Sequence, residues 1–99
     1  MPHFLLCYEL SPDYLARRAA FRSEHLRLAW AQADAGTLLL GGAVGDPPDA
    51  AMLLFTDAAA AEDFARVDPY VSSGLVTGWR VLPWATVVGR DAATPVRVE

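Results

Sequence analysis

Apolar side chains recur along this chain with two different periods, and the switches between them mark out its elements. From His3 to Leu10 the period is two: Phe4, Leu6 and Tyr8 fall on one side and Leu5 and Cys7 on the other, which predicts a strand. Both sides are apolar in the middle, so both faces of the sheet call for cover. Ser11-Pro12 then predicts a helix start. Serine accepts a hydrogen bond from an orphan amide, and proline at the first helical position has no amide to leave unpaired. Asp13 suits the positive end of the helix dipole. The helical period runs to about Ala35, where Gly36 supplies a stop. Leu15, Ala19, Leu26, Ala29, Trp30 and Ala33 form one stripe, the expected core face. Arg18, Phe21, His25 and Leu28 form a neighbouring mixed stripe, of the kind that walls a cleft or edges an interface.

Thr37 to Val44 reads as a second strand, and its internal Gly41-Gly42 predicts a bulge or the close approach of another backbone or ligand. Gly45 to Asp49 is a turn and Ala50 to Phe55 a third strand, so the two make a hairpin. Asp57 caps a second helix that runs through Val67, with Ala60, Phe64 and Val67 as its expected buried stripe. Pro69 disfavours helical geometry at Asp68 and ends that helix, and Gly74 gives a further break. Leu75 to Val88 predicts a long last strand, in which Pro83 marks a bulge or an edge position. Residues 89–99 are polar and form a C-terminal tail, either frayed or lying over a partner subunit.

Strand, helix, strand, strand, helix, strand is the order of the ferredoxin-like βαββαβ fold. It predicts an α+β domain over residues 1–88, an antiparallel four-stranded sheet with two helices on one face. Composition adds to this picture. Hydrophobic residues make up 54% of the 99, more than so small an interior can hide. The surplus predicts that the uncovered sheet face is buried in a homodimer.

The net charge of −4 is scattered, with no block of Lys or Arg, so nucleic acid is not an expected partner. No run approaches the ~18 apolar residues of a membrane span, and no targeting segment is visible. The single cysteine, Cys7, reads as a small buried hydrophobe and fits a reducing cytoplasm. No His/Cys/Asp/Glu cluster has metal-ligand spacing, and no glycine pattern of the dinucleotide type opens a helix, so neither metal nor cofactor is expected. Trp30, Trp79 and Trp84 read as core or interface anchors, and His3 as the solvent-facing start of a strand.

The chemistry rests on two short motifs, Arg22-Ser23-Glu24-His25-Leu26 and Asp68-Pro69-Tyr70. His25 and Asp68 form the one plausible imidazole–carboxylate pair. Histidine as a residue type suits proton transfer near neutrality, and a carboxylate on one ring nitrogen fixes the tautomer. Arg22, one helical turn from His25, can grip an anionic oxygen or pair with Asp68. Tyr70 can donate a hydrogen bond to a substrate oxygen. The plain alternative is structural: Asp before Pro is a helix N-cap, its carboxylate taken up by the amides of Tyr70 and Val71, with His25 half-buried on its helix.

These motifs resemble the YciI-like (YCII-related) family of the dimeric α+β barrel superfamily. The resemblance covers about residues 3–88. It is carried by Arg22-x-x-His25-Leu26, Gly36-x-Leu38, Gly41-Gly42 and Asp68-Pro69-Tyr70-Val71-x-x-Gly74, and departs where the family often has Gly-Pro in place of Gly41-Gly42. It implies a small cytosolic dimer with a pocket centred on His25 and Asp68, with Arg22, Tyr70, Gly41 and Gly42 as substrate-binding positions. Relatives of this domain type include a dehydrochlorinase of chlorinated hydroxyquinols, and the wider superfamily contains muconolactone isomerases and small cofactor-free monooxygenases. The expectation is a lyase- or isomerase-type enzyme acting on a small anionic or phenolic substrate. Its rival is a non-catalytic dimer that binds a small molecule or another protein.

Overall fold

The alternating first strand becomes the centre of the sheet. In a computed structural model that describes residues 1–98, β1 (His3–Leu10) lies between β3 (Pro48–Phe55) and β4 (Val76–Trp84), antiparallel to both. The hairpin partner β2 (Leu38–Gly45) pairs with the far side of β3, giving the order β2-β3-β1-β4. This is the ferredoxin-like α+β arrangement. β4 is an edge strand, which is how Pro83 is accommodated opposite Phe4 without breaking the ladder.

Register puts Leu6, Leu53 and Gly41 in one row and Tyr8, Ala51 and Ala43 in the next. Leu6, Tyr8, Leu53 and Phe55 are buried beneath the helices together with Phe64, Tyr70, Leu75 and Val76. The opposite sheet face carries Leu40, Met52, Leu82 and Trp84, all exposed. The bulge expected at the glycine pair lies just before it, where the β2–β3 register shifts between Leu38 and Leu40. Gly41 does meet a close neighbour: a Cβ there would sit 3.2 Å from Leu53 Cγ, whereas one at Gly42 would meet nothing within 4 Å.

The first helix departs from expectation in three ways. It is divided at Arg18 into a single turn, α1 (Tyr14–Arg17), and the long α2 (Ala19–Asp34). Ser11 does not cap it. The Ser11 hydroxyl donates instead to Asp13, and the helix begins two residues later than the Ser-Pro signal implied. Its core face also differs. Of the expected stripe Ala29 and Ala33 pack on the core, but Leu15, Leu26 and Trp30 are exposed, Trp30 at 65%, and Phe21 and Leu28 of the neighbouring stripe pack in their place. The apolar residues of α2 surround most of its circumference, so periodicity could not choose between stripes. The helix is turned so that the stripe bearing His25 faces inward.

α2 ends as expected. Gly36 adopts φ +85°, the Thr37 amide donates to Gln32 and the Gly36 amide to Ala33, a Schellman stop that sends β2 back along the helix.

In α3 (Ala58–Val67), Asp57 caps the start by accepting from the Ala59 amide at 3.1 Å. The buried stripe is Ala61, Phe64 and Ala65; Val67, expected inside, is exposed. Two alanines either side of one phenylalanine let the helix lie close on the sheet. The same helical row continues to Asp68, which is buried for that reason. Asp68 closes α3 and opens the short α4 (Pro69–Ser72).

Beyond β4 the chain is more ordered than a frayed tail. Thr86 accepts from the Ala93 amide, and the Val96 amide donates to Val87, so residues 92–96 fold back on 86–87. His3, expected to face solvent, is buried and bonded through Nδ1 to the Thr86 hydroxyl at 2.7 Å. Among the described residues no helix is long and apolar enough to cross a membrane.

Candidate functional site

Asp68 is fully buried, and three donors converge on it. His25 Nδ1 lies 2.9 Å from Oδ1 and 3.0 Å from Oδ2. The Tyr8 hydroxyl donates to Oδ2 at 2.7 Å, and the Tyr70 backbone amide to Oδ1 at 3.0 Å. A buried carboxylate is tolerable only with this kind of satisfaction. The capping role and the contact with His25 are therefore not rivals, because one carboxylate does both. The carboxylate can only accept, so Nδ1 carries a proton, and whenever the ring is neutral its lone pair lies at Nε2.

The sequence points to His25 and Asp68 but not to Tyr8, which lies sixty residues before Asp68, belongs to neither motif and reads simply as an inward-facing strand aromatic. One signal was available: a tyrosine on a buried strand face requires a partner for its hydroxyl. Burial first, then the Asp68 charge, then the hydrogen bond push the Tyr8 hydroxyl pKa far upward, so it stays a donor.

Tyr70 fixes the imidazole from another side. The two rings stack 3.8 Å apart and 3° from parallel, and Tyr14 meets Tyr70 edge-on at 5.7 Å. The Tyr70 hydroxyl is buried and has no hydrogen-bond partner among the described residues. Burial raises its pKa to about 12, a rise that the nearby Tyr14 reinforces and the Arg22 guanidinium opposes.

His25 lines a cleft of about 400 Å³ between α2 and β2, within the size range of small-molecule sites. Arg22, Tyr70, Gly41 and Gly42 line the same cleft, and so do Tyr8, Tyr14 and Arg18. Asp68 stands behind His25 rather than in the wall. Among the described residues no aspartate or glutamate lines the cleft. Neither Arg18 nor Arg22 is ion-paired among the described residues; Arg18 lies 5.6 Å over the Tyr14 ring. In a chain of net charge −4, this concavity is locally positive and suits an anion. Among the described residues no three metal-ligating side chains converge.

Comparison with known proteins bears on the fold and the family. The fold is similar to that of 5-chloro-2-hydroxyhydroquinone dehydrochlorinase from Burkholderia phenoliruptrix AC1100, solved in complex with 2,5-dihydroxybenzoquinone. The TM-score is 0.66 and the identity 20%, over 83% of this chain and 92% of that one. No curated protein matches the sequence. A family model described as the YCII-related domain matches residues 1–85. Since that match takes in all four strands and both long helices, the chain belongs to the YCII-related family.

Proposed function

We propose that the protein is a cofactor-independent acid–base enzyme of lyase or isomerase type, acting on a small anionic or phenolic substrate. The carrying observation is His25, held through Nδ1 by a buried carboxylate, in the wall of an arginine-lined cleft free of carboxylates. Nε2 takes a proton from an acidic C–H or O–H of the substrate. Asp68 holds the tautomer and stabilises the imidazolium that forms. The negative charge left on substrate oxygen is met by Arg22 and by the Tyr70 hydroxyl, which has no hydrogen-bond partner among the described residues. The pair of electrons released then expels a leaving group such as chloride, or His25 returns the proton at a different carbon. The dehydrochlorinase with the similar fold, solved with a dihydroxylated quinone, supports substrates of this kind.

The test is turnover of chlorinated hydroquinones and of small lactones and enols by wild type and His25→Ala, followed by absorbance and chloride release. Turnover that survives His25→Ala undiminished overturns the reading. The rival, a pocket that binds without reacting, is favoured by one observation: Asp68 is needed as the cap of α4 whether or not His25 reacts. It predicts ligand binding that His25→Ala weakens, with no product formed by wild type.

The same proposal includes a homodimer through the uncovered sheet face, where Leu40, Met52, Leu82 and Trp84 present an apolar surface. It also includes a cytoplasmic setting, which the single free cysteine suits.

A further inference from the structure

The lining of the cleft is divided along its length. On the helix wall, Arg18, Arg22 and His25 come first, and every lining residue after His25 is apolar: Leu26, Ala29, Trp30 and Ala33. Facing them is β2, which runs back along α2 from the Gly36 stop, so Leu38 and Leu39 oppose the apolar half of the helix. Small residues, Gly41, Gly42 and Ala43, oppose the charged half. From Arg22 to Ala33 the helix advances about 16 Å at 1.5 Å per residue. From Leu38 to Ala43 the strand advances about 16 Å at 3.3 Å per residue. The two walls are matched in length, and the cleft is a groove with a cationic end and an apolar end.

A single-ring anion at Arg22 and His25 fills only the cationic end. The apolar end then leaves Trp30 65% exposed and Leu39 43% exposed, large side chains that a solvated groove wall gains nothing from. We infer that the substrate is an elongated amphipathic anion: an acidic or phenolic head at Arg18, Arg22 and His25, and a linear apolar substituent or second ring lying along Leu26, Trp30 and Leu39. This rests on the proposed anion-binding role of the cleft and adds the class of molecule it takes. The division of the groove selects for length as well as charge, because a short anion leaves half the apolar wall wet and a neutral hydrocarbon leaves two guanidinium groups without a counter-charge.

The experiment is a binding series by calorimetry with benzoate, 4-methylbenzoate, 4-propylbenzoate, 4-butylbenzoate and biphenyl-4-carboxylate. Affinity is expected to rise about fourfold per added methylene while the substituent is covered by the groove. Trp30 is largely exposed, so Trp30→Ala folds; it is expected to flatten that dependence on length. Arg22→Gln is expected to weaken every member by a similar factor. Equal affinity across the series, with Arg22→Gln weakening all of it, overturns the elongated substrate and leaves the anion-binding reading standing. Absence of binding by any member overturns both. If Trp30→Ala changes the mass of the protein in solution and leaves the length dependence intact, the apolar end is a contact between copies of this chain and the inference fails.

Discussion

His25 and Tyr70 lie face to face, ring centroids 3.8 Å apart and planes within 3°, with the edge of Tyr14 against the far ring. The imidazole is thus held in plane by stacking and in rotation by Asp68. Its position depends on three residues distant in sequence.

The stack and the hydroxyl of Tyr70 can be separated experimentally. Tyr70→Phe keeps the ring and removes a buried group that has no partner. Its stability at neutral pH is expected to equal or exceed that of wild type by up to about 1 kcal/mol, since an unsatisfied buried hydroxyl is a cost. Binding of anionic phenols is expected to weaken at the same time. Urea denaturation and ligand titration of the same sample check both.

Alkali gives a second, independent reading of the two buried tyrosines. Burial pushes the Tyr70 hydroxyl up to about 12 in the folded protein, above the ordinary 10.0 of tyrosine, and Tyr8 is raised further. The unfolded chain therefore loses these protons first as pH rises. The stability tied to them is fully present below pH 10 and is lost progressively as pH climbs through about 12. Denaturation at pH 8, 10 and 11 should show a falling midpoint above pH 10 in wild type and a shallower fall in Tyr70→Phe.

Asp68 and His25 are expected to separate stability from chemistry. Asp68→Ala strands the buried Tyr8 hydroxyl and uncaps α4, and is expected to cost about 3 kcal/mol or more. His25→Ala removes a half-buried ring from a long helix and is expected to cost about 1–2 kcal/mol. If the proposed reaction is present, that variant loses ~10²–10⁴-fold in rate. Thermal unfolding of both variants beside turnover of the wild-type substrate makes the comparison.

The glycine pair offers a contrast within one strand. Gly41→Ala forces a Cβ to 3.2 Å from Leu53 and is expected to destabilise by about 1 kcal/mol, whereas Gly42→Ala has open space and is expected to be neutral or mildly stabilising. Chemical denaturation midpoints distinguish them.

For the sheet face, Met52→Glu or Leu82→Glu is expected to convert a dimer to monomer, read by sedimentation velocity. A wild type that sediments as a monomer sinks the dimer outright.

The order of elements could be read from the chain because strand and helix periods differ and because Gly36, Pro69 and Asp57 act as punctuation whose geometry is local. The orientation of α2 could not. Leu15, Leu26 and Trp30 look like core by type, yet the helix faces inward with Phe21, Leu28, Ala29 and Ala33 and with His25 tied to Asp68, forty-three residues away. Val67 fails for a similar reason: Ala61 and Ala65 win the buried side by being small enough for close packing, which a hydrophobicity pattern does not register. The motifs were enough to single out His25 and Asp68, whose side chains meet in the structure. Tyr8 and the buried His3 were missed because each is satisfied by a partner distant in sequence, Asp68 in one case and Thr86 in the other.

A carboxylate that ends one helix, begins the next and anchors β1 through Tyr8 is held in place by selection for a foldable chain alone. Drift can therefore silence the chemistry of a descendant without erasing the aspartate. His25 carries less of the fold, so it is the position at which lineages that kept a reaction should part from those that kept only the scaffold.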